Sequence, residues 1–196
     1  MRPVIALLLG LSLFVGACDK RAAAPEQAAA TEDGTVPDVA APANNAALEA
    51  AAKVDRSHKA DAMPTYKFQD GAGKAVTLTD FRGKPVLVNL WATWCAPCVR
   101  EMPTLDALTA REKAALHVLT VSQDMEPAKV QPFLTERKLA NLVAYRDPDL
   151  QFTTGMNLSL PTTILYDAAG KEVWRVTGGM DWAGAEAAKL ISEAKG

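Results

Sequence analysis

Two cysteines three residues apart, Cys95 and Cys98, lie inside WATWCAPCVREMP (Trp91–Pro103), with Pro97 between them and Glu101 three residues beyond. A thiol pair at this spacing can cycle between dithiol and disulfide, supply half of a metal site, or pack inertly. A structural zinc site needs four ligands, usually two such pairs. Here there is one pair and two histidines, His58 in a polar low-complexity stretch and His117 at the start of an apolar run, so zinc is a poor fit. Placement favours redox chemistry. A cysteine that opens a helix meets unpaired backbone N–H groups and the positive end of the dipole, and both stabilise its thiolate. Cys98, one turn on, shares that face and can close a small disulfide ring. Pro97 supplies φ near −65° in the first turn and gives up an N–H that would have no helical partner there. Glu101, another turn along, is placed to take or return a proton as the thiols cycle; the competing reading is a solvated helix residue.

Those groups need elements to hold them. PVLVNLW, before Cys95, reads as a strand buried on both faces. A helix is expected from about Ala96 to Ala115, with Met102, Leu105 and Leu108 on one stripe and Pro103 bending it. YKFQDGAGKAVTL predicts two short strands around the Asp70–Gly73 turn, closed by TDFRGK. LHVLTVS is a second buried strand, and EPAKVQPFLTERKLA an amphipathic helix with Pro127 in its first turn. VAYRD gives a short strand, PDLQFTTGM a short helix, PTTILYDAAGKEVWRVTG a hairpin and DWAGAEAAKLISEAK a closing helix. This order describes one α/β domain over residues 61–196, of ordinary size for a single domain.

The N-terminus decides the compartment. One arginine precedes an apolar run from Val4 to Val15, shorter than the roughly 20 residues that span a bilayer, so residues 1–17 read as an export signal. Val15-Gly16-Ala17-Cys18 resembles the lipobox of bacterial lipoproteins, which implies cleavage before Cys18 and acylation of its thiol. An ordinary cleaved signal and an uncleaved anchor are the alternatives, and all three export the chain. Asp19 leans towards retention at the inner membrane. With Cys18 acylated, Cys95 and Cys98 are the only thiols left, and a single close pair excludes a structural disulfide framework. Residues 18–60 carry almost no large apolar side chains and read as a mobile tether, with local helix propensity at Leu48–Lys53. Its reach is about 35 Å by random-coil scaling. Alanine in this third inflates the 49% hydrophobic content. Removing residues 1–17 takes away only Arg2 from the 21 basic residues and none of the 23 acidic ones, leaving about −3 and no electrostatic footprint for nucleic acid.

NLWATWCAPCVREMP with LPTT downstream resembles the thioredoxin fold, in the membrane-tethered TlpA/ResA type of periplasmic thioredoxin; LTDFRGKPVLVNLWATWCAPCVREMPTLDAL is most similar to TlpA. The resemblance runs from about Pro64 to Lys195 and implies a central mixed sheet flanked by helices, with an N-terminal extension of two strands. It further implies that Cys95 is the exposed nucleophile, Cys98 the buried resolving thiol, and Glu101 the acid/base residue. Pro161 would be the cis-proline facing the disulfide, and Leu160 would offer its backbone to an extended client segment. Trp94, Ala96 and Pro97 are expected to complete the client-binding surface. Cytoplasmic thioredoxins place a buried aspartate where this chain has Asn89, so proton handling would fall to Glu101. Asn89 is expected to be a satisfied buried polar group, and Trp91 to belong to the core.

The resulting expectation is a monomeric, lipid-anchored thiol-disulfide oxidoreductase on the periplasmic side of a bacterial membrane. No cofactor is expected beyond the Cys95–Cys98 disulfide, and no metal site. Its implied partners are a membrane electron donor and exported clients with cysteine pairs, such as apocytochrome c or the copper-site cysteines of cytochrome oxidase and its chaperone. A thiol peroxidase is disfavoured, because Ala92 stands where that class needs threonine or serine three places before the nucleophile. A copper chaperone using the same cysteines is disfavoured by their close spacing and by the lack of a nearby histidine.

Overall fold

The computed structural model describes residues 52–195. Eight strands form one sheet: β1 (Lys53–Asp55), β2 (Phe68–Gln69), β3 (Ala75–Val76), β4 (Val86–Trp91), β5 (His117–Ser122), β6 (Tyr145–Arg146), β7 (Thr162–Tyr166) and β8 (Glu172–Thr177), in the order β1-β8-β7-β4-β5-β6-β2-β3. β4, β5 and β6 run parallel, and every other neighbour is antiparallel. The helices are α1 (Ala96–Glu112), α2 (Val130–Glu136), α3 (Gln151–Gly155) and α4 (Ala185–Ser192).

β4 is central because its sequence suits no other place. All six of its residues are buried, and alternate side chains enter different cores. Leu87 and Trp91 pack with α1, α2 and α4, through residues such as Leu105, Leu108, Leu134 and Leu190. Val86, Val88 and Leu90 pack on the other face with Phe68, Leu78, Phe152 and Tyr166. Both hairpins turn by the same local chemistry. Asp70 Oδ1 accepts from the amides of Ala72 and Lys74, and Asp167 Oδ1 from those of Ala169 and Lys171. Gly73 and Gly170 then take the left-handed conformations (φ 83° and 81°) that a side chain would resist.

The sheet is mixed and flanked by helices, as expected of a thioredoxin fold. α1 stays helical through Pro103 and ends at Glu112, one turn short of the expected Ala115. The N-terminal extension is larger than two strands. The β2–β3 hairpin extends the β6 edge, whereas β1 lies at the opposite edge against β8. Folded structure therefore begins before residue 61: Val54 pairs with Val176, Ala60 N donates to Glu172 O, and Ala62 bridges Lys171. Residues 53–60 have little apolar content and are held by backbone pairing with β8, by the Arg56–Glu193 ion pair and by Val54 against the core. Lys53 opens this strand, while Leu48–Ala51, with the signal, Cys18 and the remaining tether, lies outside the described residues.

Candidate active site

Topology gathers the chemistry at one end of the sheet. The chain leaves the carboxyl ends of parallel strands β4, β5 and β6 at Ala92, Gln123 and Asp147, and antiparallel β7 begins and β8 ends at that same end. Open α/β sheets place their sites there. Cys95, Gln123, Leu150 and Leu160 all line one cleft of about 530 Å³ at this end.

Cys95 and Cys98 form a disulfide with Cα atoms 5.3 Å apart. Cys95 is the N-cap of α1: its backbone is extended (φ −88°, ψ 98°), and its sulfur accepts the Cys98 amide at 3.4 Å. Sulfur thus stands where a cap oxygen usually would, under the unpaired N–H groups of the first turn. Any negative charge that develops on Cys95 Sγ meets this donor and the helix dipole. Cys95 is 6% exposed and Cys98 0%, so the expected contrast between them is narrow in the disulfide form. It survives in which sulfur faces the opening, since Cys95 lines the cleft and Cys98 does not.

Glu101 is fully buried, which removes the solvated-face reading. Its Oε1 accepts from Asn89 Nδ2 at 2.8 Å, and its Oε2 from Met180 N and Trp182 Nε1, each at 3.0 Å. None of these bonds goes to sulfur. Burial raises its pKa from the usual 4.5 to about 7, against the opposing pull of the bonds from Asn89, Met180 and Trp182. A carboxyl poised near neutrality beside a redox pair can hold or release a proton at working pH. Asn89 differs from expectation. Its Nδ2 also donates to Thr163 Oγ1 at 2.9 Å, but its buried Oδ1 has no protein partner.

The loop before Cys95 is fastened by Asp124. Its carboxylate accepts from Thr93 N and Thr93 Oγ1 (3.0 and 2.7 Å) and from Ser122 Oγ at 2.7 Å. Bonds to a carboxylate are charge-assisted and stronger than neutral ones, so this cluster ties the loop to the end of β5. Gln123 N adds a bond to Trp91 O, and Gln123 Oε1 accepts from Thr153 Oγ1.

Of the residues expected to contact clients, Trp94, Pro97 and Leu160 line the cleft. Trp94 is 70% exposed, a large apolar face left open to solvent. Ala96 is exposed but is not part of the lining. Pro161 is buried, and the Leu160–Pro161 peptide is cis. Trp91 is fully buried against Phe133, with ring centroids 5.2 Å apart. Met180, Trp182, Asp124, Gln123, Leu150 and Leu158 escaped the sequence reading. The rule that sites sit at the carboxyl ends of parallel strands could have found Gln123, Asp124 and Leu150. Nothing local marks Trp182. Among the described residues no group of three or more His, Cys, Asp or Glu side chains could hold a metal ion.

The family model described as Redoxin matches residues 58–191. Curated relatives include the thiol-disulfide oxidoreductase ResA of Bacillus subtilis (strain 168), 33% identical over 132 residues, which are 66% of this chain and 73% of the relative. ResA of Geobacillus thermodenitrificans (strain NG80-2) is 35% identical over 119 residues, 60% of this chain and 68% of the relative. Among solved structures, a putative thiol:disulfide interchange protein DsbE from Chlorobium tepidum aligns with TM-score 0.63 and 26% identity, over 70% of this chain and 98% of that one. The pneumococcal exposed lipoprotein thioredoxin Etrx1 from Streptococcus pneumoniae strain TIGR4 aligns with TM-score 0.56 and 26% identity, over 65% and 98%.

Proposed function

Because this chain belongs to the redoxin family and is a thiol-disulfide oxidoreductase of the ResA and TlpA type, we propose that Cys95 and Cys98 carry its exchange chemistry, as a reductant of exported proteins. The observation that carries this reading is the Cys95–Cys98 disulfide at the N-terminus of α1, with Cys95 on the cleft. In the reduced protein the Cys95 thiolate attacks one sulfur of a client disulfide. A Cys95–client bond forms, the client S–S bond breaks, and the electron pair leaves with the second client sulfur, which takes a proton. Cys98 gives its proton to Glu101 and attacks Cys95 Sγ, which closes Cys95–Cys98 and expels the first client sulfur as a thiolate. The client gains two electrons and the protein loses them, and a membrane electron donor restores the dithiol. Pro161 and Leu160 hold the client segment beside Cys95.

Location follows from the N-terminus. Export by residues 1–17 and acylation at Cys18 would hold a monomeric head at the periplasmic face of a membrane, within reach of apocytochrome c or copper-site cysteines. A named exposed lipoprotein among the solved relatives supports the anchor, and among the described residues no helix is long and apolar enough to cross a membrane. Neither a nucleic-acid partner nor a cofactor beyond the disulfide takes part in this exchange.

Two measurements test this. Acid-quenched, alkylated cells should hold Cys95 and Cys98 mostly as thiols, because a reductant is kept charged by its donor. A pool that is mostly disulfide, with clients accumulating as thiols in a deletion strain, would make the protein an oxidant and reverse the direction. Separately, labelled fatty acid should enter the wild type and not Cys18→Ala. A mature chain with an unmodified N-terminus would remove the lipid anchor while leaving the exchange chemistry standing.

A further inference from the structure

Among the described residues four non-glycine positions have positive φ: Ala60, Lys138, Leu150 and Asn157. Only Leu150 lines the cleft. Lys138 and Asn157 follow α2 and α3, where a left-handed residue commonly ends a helix. Leu150 instead precedes α3, with φ 52° and ψ 33°. Leucine resists this conformation because its Cβ crowds the following carbonyl, whereas glycine or asparagine would take it readily.

The surroundings hold Leu150 there from both sides. Its amide donates to Asp147 O at 3.1 Å, and its carbonyl accepts from Thr154 N at 3.0 Å and Thr154 Oγ1 at 2.6 Å. Asp147, fully buried, also accepts the Phe152 amide on Oδ2 at 2.9 Å, and Phe152 is fully buried in its turn. Backbone strain that is over-determined in this way persists where a site uses it. The half-buried leucine side chain has one evident use, as a wall of the cleft that also contains Cys95, Trp94, Pro97, Leu158 and Leu160.

We infer that Leu150 is a specificity-determining residue, selecting client segments that carry a bulky apolar residue beside their cysteine. This rests on the proposed exchange at Cys95. For a client sulfur to bond Cys95 Sγ, the residues flanking the client cysteine must enter the cleft, so chemistry names the occupant. No residue lining the cleft is charged, and its lining is mostly aliphatic and aromatic. An apolar flanking side chain gains by leaving water there, whereas an aspartate loses hydration with no cation in the lining to balance its charge.

The test uses the pre-reduced protein and two synthetic peptides, each with one internal disulfide, identical except for leucine or aspartate beside a cysteine. Cys95 forms the mixed disulfide, Cys98 resolves it, and the peptide leaves as a dithiol while Cys95–Cys98 closes. Exchange is followed by alkylation and mass. The wild type should favour the leucine peptide by about tenfold in kcat/KM, the scale of discrimination an apolar wall provides. Leu150→Gly and Leu150→Asn should each bring that ratio towards one, by losing rate on the leucine peptide, while the thermal midpoint stays level or rises as strain is relieved. A ratio retained by both variants, or a midpoint lowered in both, overturns the assignment. A wild type that exchanges with both peptides equally also overturns it and leaves the exchange reading intact. A wild type that exchanges with neither sinks the reading of Cys95 itself.

Discussion

Cys98→Ser is expected to stop turnover at the mixed disulfide, leaving Cys95 covalently joined to its clients. The reason lies in the order of the two attacks. Cys95 faces the cleft and forms the first bond; the second attack, which frees the client, needs a thiol within reach of Cys95 Sγ, and the native disulfide shows that Cys98 has that reach. Serine keeps the size of the side chain but cannot displace a thiolate from a disulfide at a useful rate. Expressed in the native host, the variant should therefore carry adducts that survive denaturing, non-reducing electrophoresis and dissolve on reduction. Steady-state turnover should fall to background. Cys95→Ser should trap far fewer partners, because Cys98 is fully buried and does not line the cleft. Trapping of equal yield by the two variants would mean that the nucleophile has been assigned to the wrong sulfur. Adducts made up of exported proteins with closely spaced cysteines would identify the client class.

The parts of this site written in one short stretch could be read directly. Cys95, Pro97 and Cys98 sit at the junction of a fully apolar strand and a helix with an apolar stripe, and a local pattern specifies both elements. The cis peptide at Pro161 was reached only through family resemblance, since no local rule selects it. What stayed hidden depends on residues distant in sequence. β1 has three residues, no alternating apolar face and a partner, β8, more than a hundred residues away. Glu101 could be placed one turn past Cys98, but its burial depends on Met180 and Trp182, brought in by the chain after β8. Asn89 looked like an ordinary buried amide, and its half-satisfied state follows from where Thr163 and Glu101 happen to meet it. Leu150 carries no signal at all, because leucine in PDLQF suggests a helix start and not a left-handed turn.

Glu101→Gln should slow exchange by about a hundredfold, the lower end of what a positioned acid or base contributes, and should remove the limb of the pH–rate profile near neutrality. The substitution itself is mild. All three groups that face the carboxylate are N–H donors, so the new amide can keep its oxygen on Met180 N and Trp182 Nε1, and its NH2 then faces Asn89. A half-turn of the Asn89 amide presents the unpartnered Oδ1 to that NH2, and the same turn would serve a protonated Glu101. Stability supplies an independent reading of the same proton. The folded pKa, about 7, lies above the ordinary 4.5 because burial disfavours the charge, so folding favours the protonated acid. That contribution is complete below about pH 4.5 and is lost as pH rises through 7. At about 1.4 kcal/mol per unit it amounts to about 3 kcal/mol across the window. Glutamine does not titrate, so Glu101→Gln should lack this decline, and its urea midpoint should gain on the wild type's between pH 5 and pH 8. Other titrating groups are common to both proteins and cancel in that difference. A variant whose midpoint tracks the wild type at every pH would mean that Glu101 is charged throughout and holds no exchangeable proton near neutrality. A variant slowed equally at all pH values, with the neutral limb intact, would mean that Glu101 fixes the geometry of α1 and Trp182 while another group moves the proton.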